Sequence, residues 1–192
     1  MTRLAYIGNM SRSYDLKTVV ETVAGLEDVT LDLAGGGPDE PALRALAATL
    51  LGTDPGRLGT DPGERLRFHG YLDEKSLASL LDSADVGLIP MFPDSEVAIP
   101  GKLADYLRAG LPVVCSLTGE VARLIADYRA GLGYEAGRPE SLAAVLGGLA
   151  GAGGARRLAE LAAGARRLYE AEFSAAKVYP AYVRFCYNIH SL

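Results

Sequence analysis

Short apolar runs, most of them closed by a glycine or a proline, recur along the chain. Between them lie stretches whose apolar residues fall three and four apart. Arg3–Gly8 (RLAYIG) reads as a first buried strand, followed by a loop over 9–14. Asp15 stands where a helix N-cap belongs, and Leu16, Val19, Val20 and Val23 form the apolar face of a helix reaching about Gly25. Val29–Ala34 (VTLDLA) is a second strand, ended by Gly35-Gly36-Gly37-Pro38 and followed by a helix over about 41–51. Leu66–Phe68 is a third strand, closed by His69-Gly70-Tyr71. Asp73 then starts a helix to about Ser83, with Leu77, Leu80 and Leu81 facing inward. Asp85–Ile89 is a fourth strand, followed by the long loop 90–100. Pro100 and Gly101 open a short helix, Gly110 ends it, and a strand follows at 113–115. The pattern continues with a helix over about 119–128, a short edge strand at 131–134, and helices at about 139–149 and 155–173. Ser174 caps a last helix, interrupted at Pro180.

Strand and helix alternate about six times, and the strands read as apolar throughout. That predicts an α/β fold: one domain over 1–192 built on a doubly wound, Rossmann-like parallel sheet of about six strands, with helices on both faces and the last helix, about 174–190, packed as an extension. In such folds ligands bind beyond the carboxyl ends of the strands. The loops 8–14, 35–39, 69–73, 90–101 and 116–120 are therefore where chemistry is expected.

Composition narrows the classes. The chain has 192 residues, 49% apolar and 22% charged, as an ordinary globular domain does. With a net charge of −5 and no stripe of lysine and arginine, a nucleic-acid partner is not expected. No apolar run approaches about 18 residues, so a soluble, cytoplasmic protein is expected. Cys115 and Cys186 read as reduced structural thiols. His69 and His190 are the only histidines, so no Ser-His-Asp or Cys-His arrangement can be assembled. No cluster has metal-ligand spacing, and no resident metal is expected. Leu51–Arg57 is followed at once by the near copy Leu58–Glu64, whose Asp-Pro-Gly turns read as a duplicated surface loop.

The loop 9–14 follows a strand and precedes a helix, yet has neither G-x-G-x-x-G nor a Walker lysine. Gly8 allows close backbone approach, while Asn9, Ser11 and Arg12 supply donors. At 100–105 a helix N-terminus with Lys102 suits phosphate. Asp105, three residues on and on the same helix face, suits a ribose diol. An ordinary crossover with a surface Lys–Asp pair would carry the same residues. Glu96 fits either a sugar contact or plain surface charge, and Glu120, near the start of a helix, suits the helix dipole.

Five segments together carry a family likeness. Leu4-Ala-Tyr-Ile-Gly-Asn9 resembles an opening strand and glycine turn, Leu31-Asp-Leu-Ala-Gly-Gly-Gly-Pro38 a "GxGP" segment, and Leu66-Arg-Phe-His-Gly-Tyr71 a "V-x-F-x-G" segment. Ser83–Pro90 is similar to "ADVGLxP", and Pro100–Val114 to "PSKLFEYMAAGKPVV". In order and at matching separations, they resemble the C-terminal half of the retaining glycosyltransferases of the two-domain GT-B fold. That large family includes sucrose synthase-like and bacterial polysaccharide transferases.

The resemblance implies transfer of a sugar from a nucleotide-diphosphate sugar with retention of configuration. It implies no metal in the motif and no cofactor besides that substrate. Asp105 takes the place of a ribose-binding glutamate. The other motif glutamate falls at Val97, with Glu96 adjacent as its candidate substitute in binding the donor sugar. The family's diphosphate lysine falls near Tyr14, leaving Gly8, Asn9, Ser11, Arg12 and Lys102 as the candidate diphosphate site. His69, Gly70 and Tyr71 align with the segment that meets the base, mostly through backbone groups. The acceptor-binding N-terminal domain of the family has no counterpart in the chain, so a separate acceptor domain or partner subunit is expected. Alone, the chain should bind donor weakly and transfer nothing. The tyrosine-rich last helix offers a flank for a partner or a second copy, and the arginines of 156–167 a contact for anionic lipid at the inner membrane face. Two other readings share the fold: a non-catalytic or regulatory subunit, and a sugar-nucleotide epimerase, which would need more histidine than the chain has.

Overall fold

Helices on both sides bury the strands on both faces, and the alternation in the sequence is realised strand by strand. The computed structural model describes residues 1–54, 58–59, 61, 64–92 and 99–180. The strands are β1 (Thr2–Ile7), β2 (Val29–Ala34), β3 (Leu66–Gly70), β4 (Val86–Ile89), β5 (Val113–Cys115) and β6 (Gly131–Gly133). All pair in parallel, in the order β3-β2-β1-β4-β5-β6. The helices are α1 (Leu16–Ala24), α2 (Glu40–Leu51), α3 (Glu74–Ser83), α4 (Gly101–Arg108), α5 (Glu120–Asp127), α6 (Pro139–Ala150) and α7 (Gly154–Leu168).

Alternate residues of each strand point to opposite faces. Leu4, Tyr6, Leu31 and Leu33 meet α1, α2 and α6 on one side. Ala5, Ile7, Ile89 and Val113 meet α3, α4 and α5 on the other. Helix α7 gives Leu161 to the first core and Ala165 and Leu168 to the second. It packs so closely that a Cβ on Gly164 would lie 2.1 Å from the Arg129 carbonyl oxygen.

Several expectations are corrected. The strands are not apolar throughout: on the α3 side β2 carries the buried carboxylate of Asp32 and β3 the buried guanidinium of Arg67. The duplicated segment is not wholly a surface loop. Leu58 is 3% exposed and belongs to the core; Arg44 donates to its carbonyl, and Gly59 O accepts from Phe68 N. Residues 55–57, 60 and 62–63 of that repeat lie outside the described residues. The long helix expected to Phe173 changes at Tyr169 into a π-helical turn over Tyr169–Phe173. Ser174 does not cap with its side chain: its hydroxyl donates backward to Glu170 O, although helical backbone does resume at 175–180. Tyr182, Phe185, Cys186, Tyr187, Ile189 and His190 lie outside the described residues. Two of the α7 arginines also touch the rest of the fold. Arg167 donates to Tyr128 O, and the Arg166 guanidinium lies over Gly110, whose Cβ would sit 2.9 Å from Nε. Among the described residues no helix is long and apolar enough to cross a membrane.

The chain leaves β1 for α1 on one face and leaves β4 for α4 on the other, and β1 and β4 are neighbours. This is the topological switch point, where folds of this kind form a ligand crevice. The β1–β4 pairing is correspondingly short, with only Leu4↔Val86 and Ala5↔Gly87 in register.

Candidate functional site

The floor of the crevice is set by Tyr106 of α4. Gly87 leaves room for its ring, since a Cβ there would stand 2.4 Å from Tyr106 Cγ. The ring thereby reaches the gap where β1 and β4 part. Its hydroxyl accepts from Ile7 N at 3.0 Å and lies 3.1 Å from Ala5 O and 3.2 Å from Leu88 O, to one of which it donates. One phenol thus occupies the place of the missing ladder bonds, and burial pushes its pKa far up. Nothing about Tyr106 stood out in the sequence beyond its place one turn after Lys102, and Gly87 read only as part of a strand.

Two loops rise above this floor. The loop after β1 is fixed at Met10, whose side chain is fully buried, and by Tyr6, whose hydroxyl donates to Asn9 O. Gly35–Gly37 does not form a phosphate cradle of its own. Gly35, at φ +118°, has no room for a Cβ: it would stand 2.0 Å from Gly8 O. One on Gly37 would stand 2.3 Å from Met10 O. These glycines let the loop after β2 lie flat against the loop after β1, a contact closed by Met10 N donating to Gly36 O and Asp39 N to Met10 O. On the far side Tyr14 pairs with Met91, and Asp15 N donates to Pro90 O. Asp15 itself is buried, capping α1 at Thr18 N and accepting from Gly137 N.

Lys102 is the singular group of the crevice. It enters from the first turn of α4 and is 8% exposed. Its Nζ has no hydrogen-bond partner among the described residues. It lies 4.0 Å from the centre of the Tyr6 ring and 3.9 Å from that of Tyr14. Burial lowers its pKa to about 7. Directly above is Gly8, exposed and at φ +125°; a Cβ there would be 3.4 Å from Nζ. The bare glycine therefore leaves an approach to the ammonium that any side chain would cover. Helix α4 adds its own partial positive charge, because its N-cap is Pro100 and no side chain among the described residues caps its first amides. Among the described residues a Cβ on Gly101 would meet nothing within 4 Å.

The other candidates fall into place around Lys102. Asp105 lies one turn on and is not its partner. The carboxylate is half-exposed and lies 3.7 Å from Arg108 Nη2, so the expected surface Lys–Asp pair does not form. Arg12 is exposed and lines a largely apolar cavity of about 470 Å³ with Leu16, Leu43, Leu46 and Phe92. Lys102 does not line that cavity; Tyr14 belongs to both surroundings. Asn9 is exposed and Ser11 half-buried, its carbonyl accepting from Tyr14 N. Tyr71 is 86% exposed, with its ring against Gly36. Gly70, at φ +63°, has its carbonyl taken by Gly35 N. Glu96 and Val97 lie outside the described residues.

His69 turns away from the crevice. Its Nε2 is 2.6 Å from Asp32 Oδ1, and Arg67 makes a bidentate pair with the same carboxylate, at 2.6 Å on both arms. Burial pushes Asp32 up, but the hydrogen bonds from Arg67 and His69 and their charges outweigh it, and its pKa lies below the ordinary carboxylate value. Residue 69 can thus meet a ligand in the crevice only through its backbone.

The sequence profile of the glycosyl transferases group 1 family matches residues 2–151. HepE of Anabaena, solved with UDP, is similar over 99% of this chain and 49% of its own, at 16% identity and a TM-score of 0.77. The sucrose-phosphate synthase of Thermosynechococcus elongatus is similar over 99% of this chain and 46% of its own, at 18% identity and a TM-score of 0.78. The C-terminal domain of LpcC, a glycosyl transferase group 1 family protein of Francisella tularensis, is similar over 91% of this chain and 87% of its own, at 14% identity and a TM-score of 0.71. The chain spans about half the length of HepE and of the synthase. Comparison with curated proteins by sequence finds no match.

Proposed function

The chain belongs to the group 1 glycosyl transferases, and from that premise we propose that it is the donor half of a GT-B enzyme, binding a nucleotide-diphosphate sugar at the β1–β4 crevice. The observation that carries this reading is Lys102: a buried amine with no hydrogen-bond partner among the described residues, under a bare glycine, at the N-terminus of α4. A diphosphate over Gly8 meets the ammonium and the free amides of α4 together. Both stabilise the charge that grows on a departing nucleoside diphosphate. Asp105, one turn further on and half-exposed, accepts from the ribose hydroxyls. Tyr71 and the backbone of 69–70 stand beside the base, and Glu96 is the candidate for the donor sugar.

The uridine series leads the choice of base, because HepE has been solved with UDP and with UDP-glucose. Retention of configuration, and a glycan, lipid or small-molecule acceptor held by an N-terminal domain or partner subunit, complete the reading. A cytoplasmic place in polysaccharide synthesis fits such a donor. Without the acceptor half the chain binds donor and transfers nothing.

The test is a thermal-shift panel of UDP, GDP, ADP and dTDP on the chain and on Asp105→Ala. A ligand that binds only the folded state raises the melting temperature by mass action: about 2.7 kcal/mol at a hundredfold excess over Kd, or roughly 5–10 °C for a chain of this size. One nucleotide should shift the wild type and not the variant. A panel with no shift, or one that Asp105→Ala leaves unchanged, overturns the assignment. Sugar transfer by the purified chain would refute the division of labour.

A further inference from the structure

Lys102 is held in a way that suits an ammonium poorly while the crevice is empty. Three elements face its Nζ. From β1 comes the Tyr6 ring, whose hydroxyl is committed to Asn9 O. From the loop after β1 comes the Tyr14 ring, and just beyond it Asp15, whose carboxylate is taken up by Thr18 N and Gly137 N. From α4 come Tyr106, bonded into the β1–β4 gap, and Asp105, turned to Arg108. No carboxylate among the described residues bonds the ammonium, and neither does any carbonyl. Two ring faces attract a cation modestly, whereas removing it from water costs several kcal/mol. Burial lowers its pKa, and no opposing charge among the described residues offsets that.

The crevice supplies the partner only when it is filled. An anion resting on Gly8 would lie within reach of Nζ, since the nearest position a Cβ could take there is 3.4 Å away. We propose that the donor diphosphate and a proton bind together: Lys102 is neutral in the empty crevice and becomes an ammonium when a diphosphate settles over Gly8. The proton comes from solvent and adds to the Nζ lone pair, and no other bond changes. This rests on the diphosphate reading of the site and adds its pH control. The site would grip its donor near neutral pH and release the nucleoside diphosphate more readily as the pH rises.

The linkage has a definite sign. Above the pH at which the empty lysine loses its proton, every binding event must take one up, so Kd should rise roughly tenfold per pH unit until the bound lysine itself titrates. Below that pH no such slope is expected. A nucleotide sugar is the cleaner probe, because its diphosphate diester does not titrate in this range, whereas a terminal phosphate has a second pKa of about 6.

The experiment has two arms. In the first, the Cε carbons, bonded to Nζ, of the four lysines, Lys17, Lys75, Lys102 and Lys177, are followed by NMR from pH 5 to 11 in the ligand-free protein, with Lys102→Met to assign the signal. One signal titrating near neutrality, absent from the variant, is expected. If Lys102 titrates with the exposed lysines above pH 9, the proposal is overturned whatever binds. In the second, UDP-glucose is titrated calorimetrically at pH 8.5 in buffers of different ionisation enthalpy. Uptake approaching one proton is expected for the wild type. Binding with no uptake overturns the linkage while leaving the donor site standing. Failure of UDP-, GDP-, ADP- and dTDP-glucose alike to bind overturns both.

Discussion

Tyr106→Phe removes one oxygen atom and little else. The hydroxyl accepts from Ile7 N at 3.0 Å where β1 and β4 no longer pair, and the tyrosine is fully buried. Phenylalanine fits the same space over Gly87, so no clash or large cavity follows. It leaves the Ile7 amide buried without an acceptor, and Ala5 O and Leu88 O without this donor. An unsatisfied buried group of this kind costs about 1–3 kcal/mol. For a chain of this size each kcal/mol moves the melting temperature by about 2–4 °C, so a fall of roughly 2–12 °C is expected. Tyr128→Phe is the matched control, because it too removes a tyrosine hydroxyl bond, to Glu172, but an exposed one. It should stay within about 0.5 kcal/mol of wild type. Calorimetry gives the melting temperatures, and hydrogen exchange reports the Ile7 amide directly. If Tyr106→Phe melts with the wild type and Ile7 keeps its protection, the phenol does not hold the crevice floor and the account of the switch point is wrong.

Two further outcomes follow from the same geometry. Asp32→Asn should destabilise by on the order of 3 kcal/mol at pH 7, because it breaks the buried bidentate ion pair with Arg67. The folded pKa of Asp32 lies below the unfolded value of about 3.9, so its contribution is full above that value and fades as the pH falls through the folded one. In acid denaturation the gap between Asp32→Asn and wild type should therefore narrow below about pH 4; a constant gap would argue against a charged Asp32. Gly35→Ala places a Cβ 2.0 Å from the Gly8 carbonyl at a φ that alanine avoids. It should cost both stability and UDP binding, since the loop it displaces carries Gly8. A well-folded Gly35→Ala with unchanged affinity, read by urea denaturation and calorimetry, would count against that coupling.

The fold was legible because its signals are local. Apolar runs closed by glycine, an aspartate at the head of α1 and another at the head of α3, and glycines at helix ends each act within a few residues. Parallel strands buried on both faces must be apolar wherever a helix covers them. The alternation alone therefore placed six strands and the loops where ligands gather. It also singled out Lys102, Asp105 and Gly8, because a lysine in the first turn of a helix and a glycine closing a strand are unusual enough to read one at a time.

What escaped were pairings between residues far apart in the chain. Asp32 sits in a strand that reads as apolar, yet Arg67, 35 residues on, is its bidentate partner, and His69 turns from the crevice to the same carboxylate. Tyr106 became the crevice floor only through a glycine on β4 and an amide on β1. The sequence by itself determined the elements, their order and the loops that bear charge, since these follow from periodicity and backbone preference. Only the tertiary structure decided which charges are buried and which are partnered. Lys102 shows the difference: its place at a helix start is written in the chain, but its desolvation depends on Tyr6 and Tyr14 meeting it in space, and its accessibility on the bare glycine at position 8.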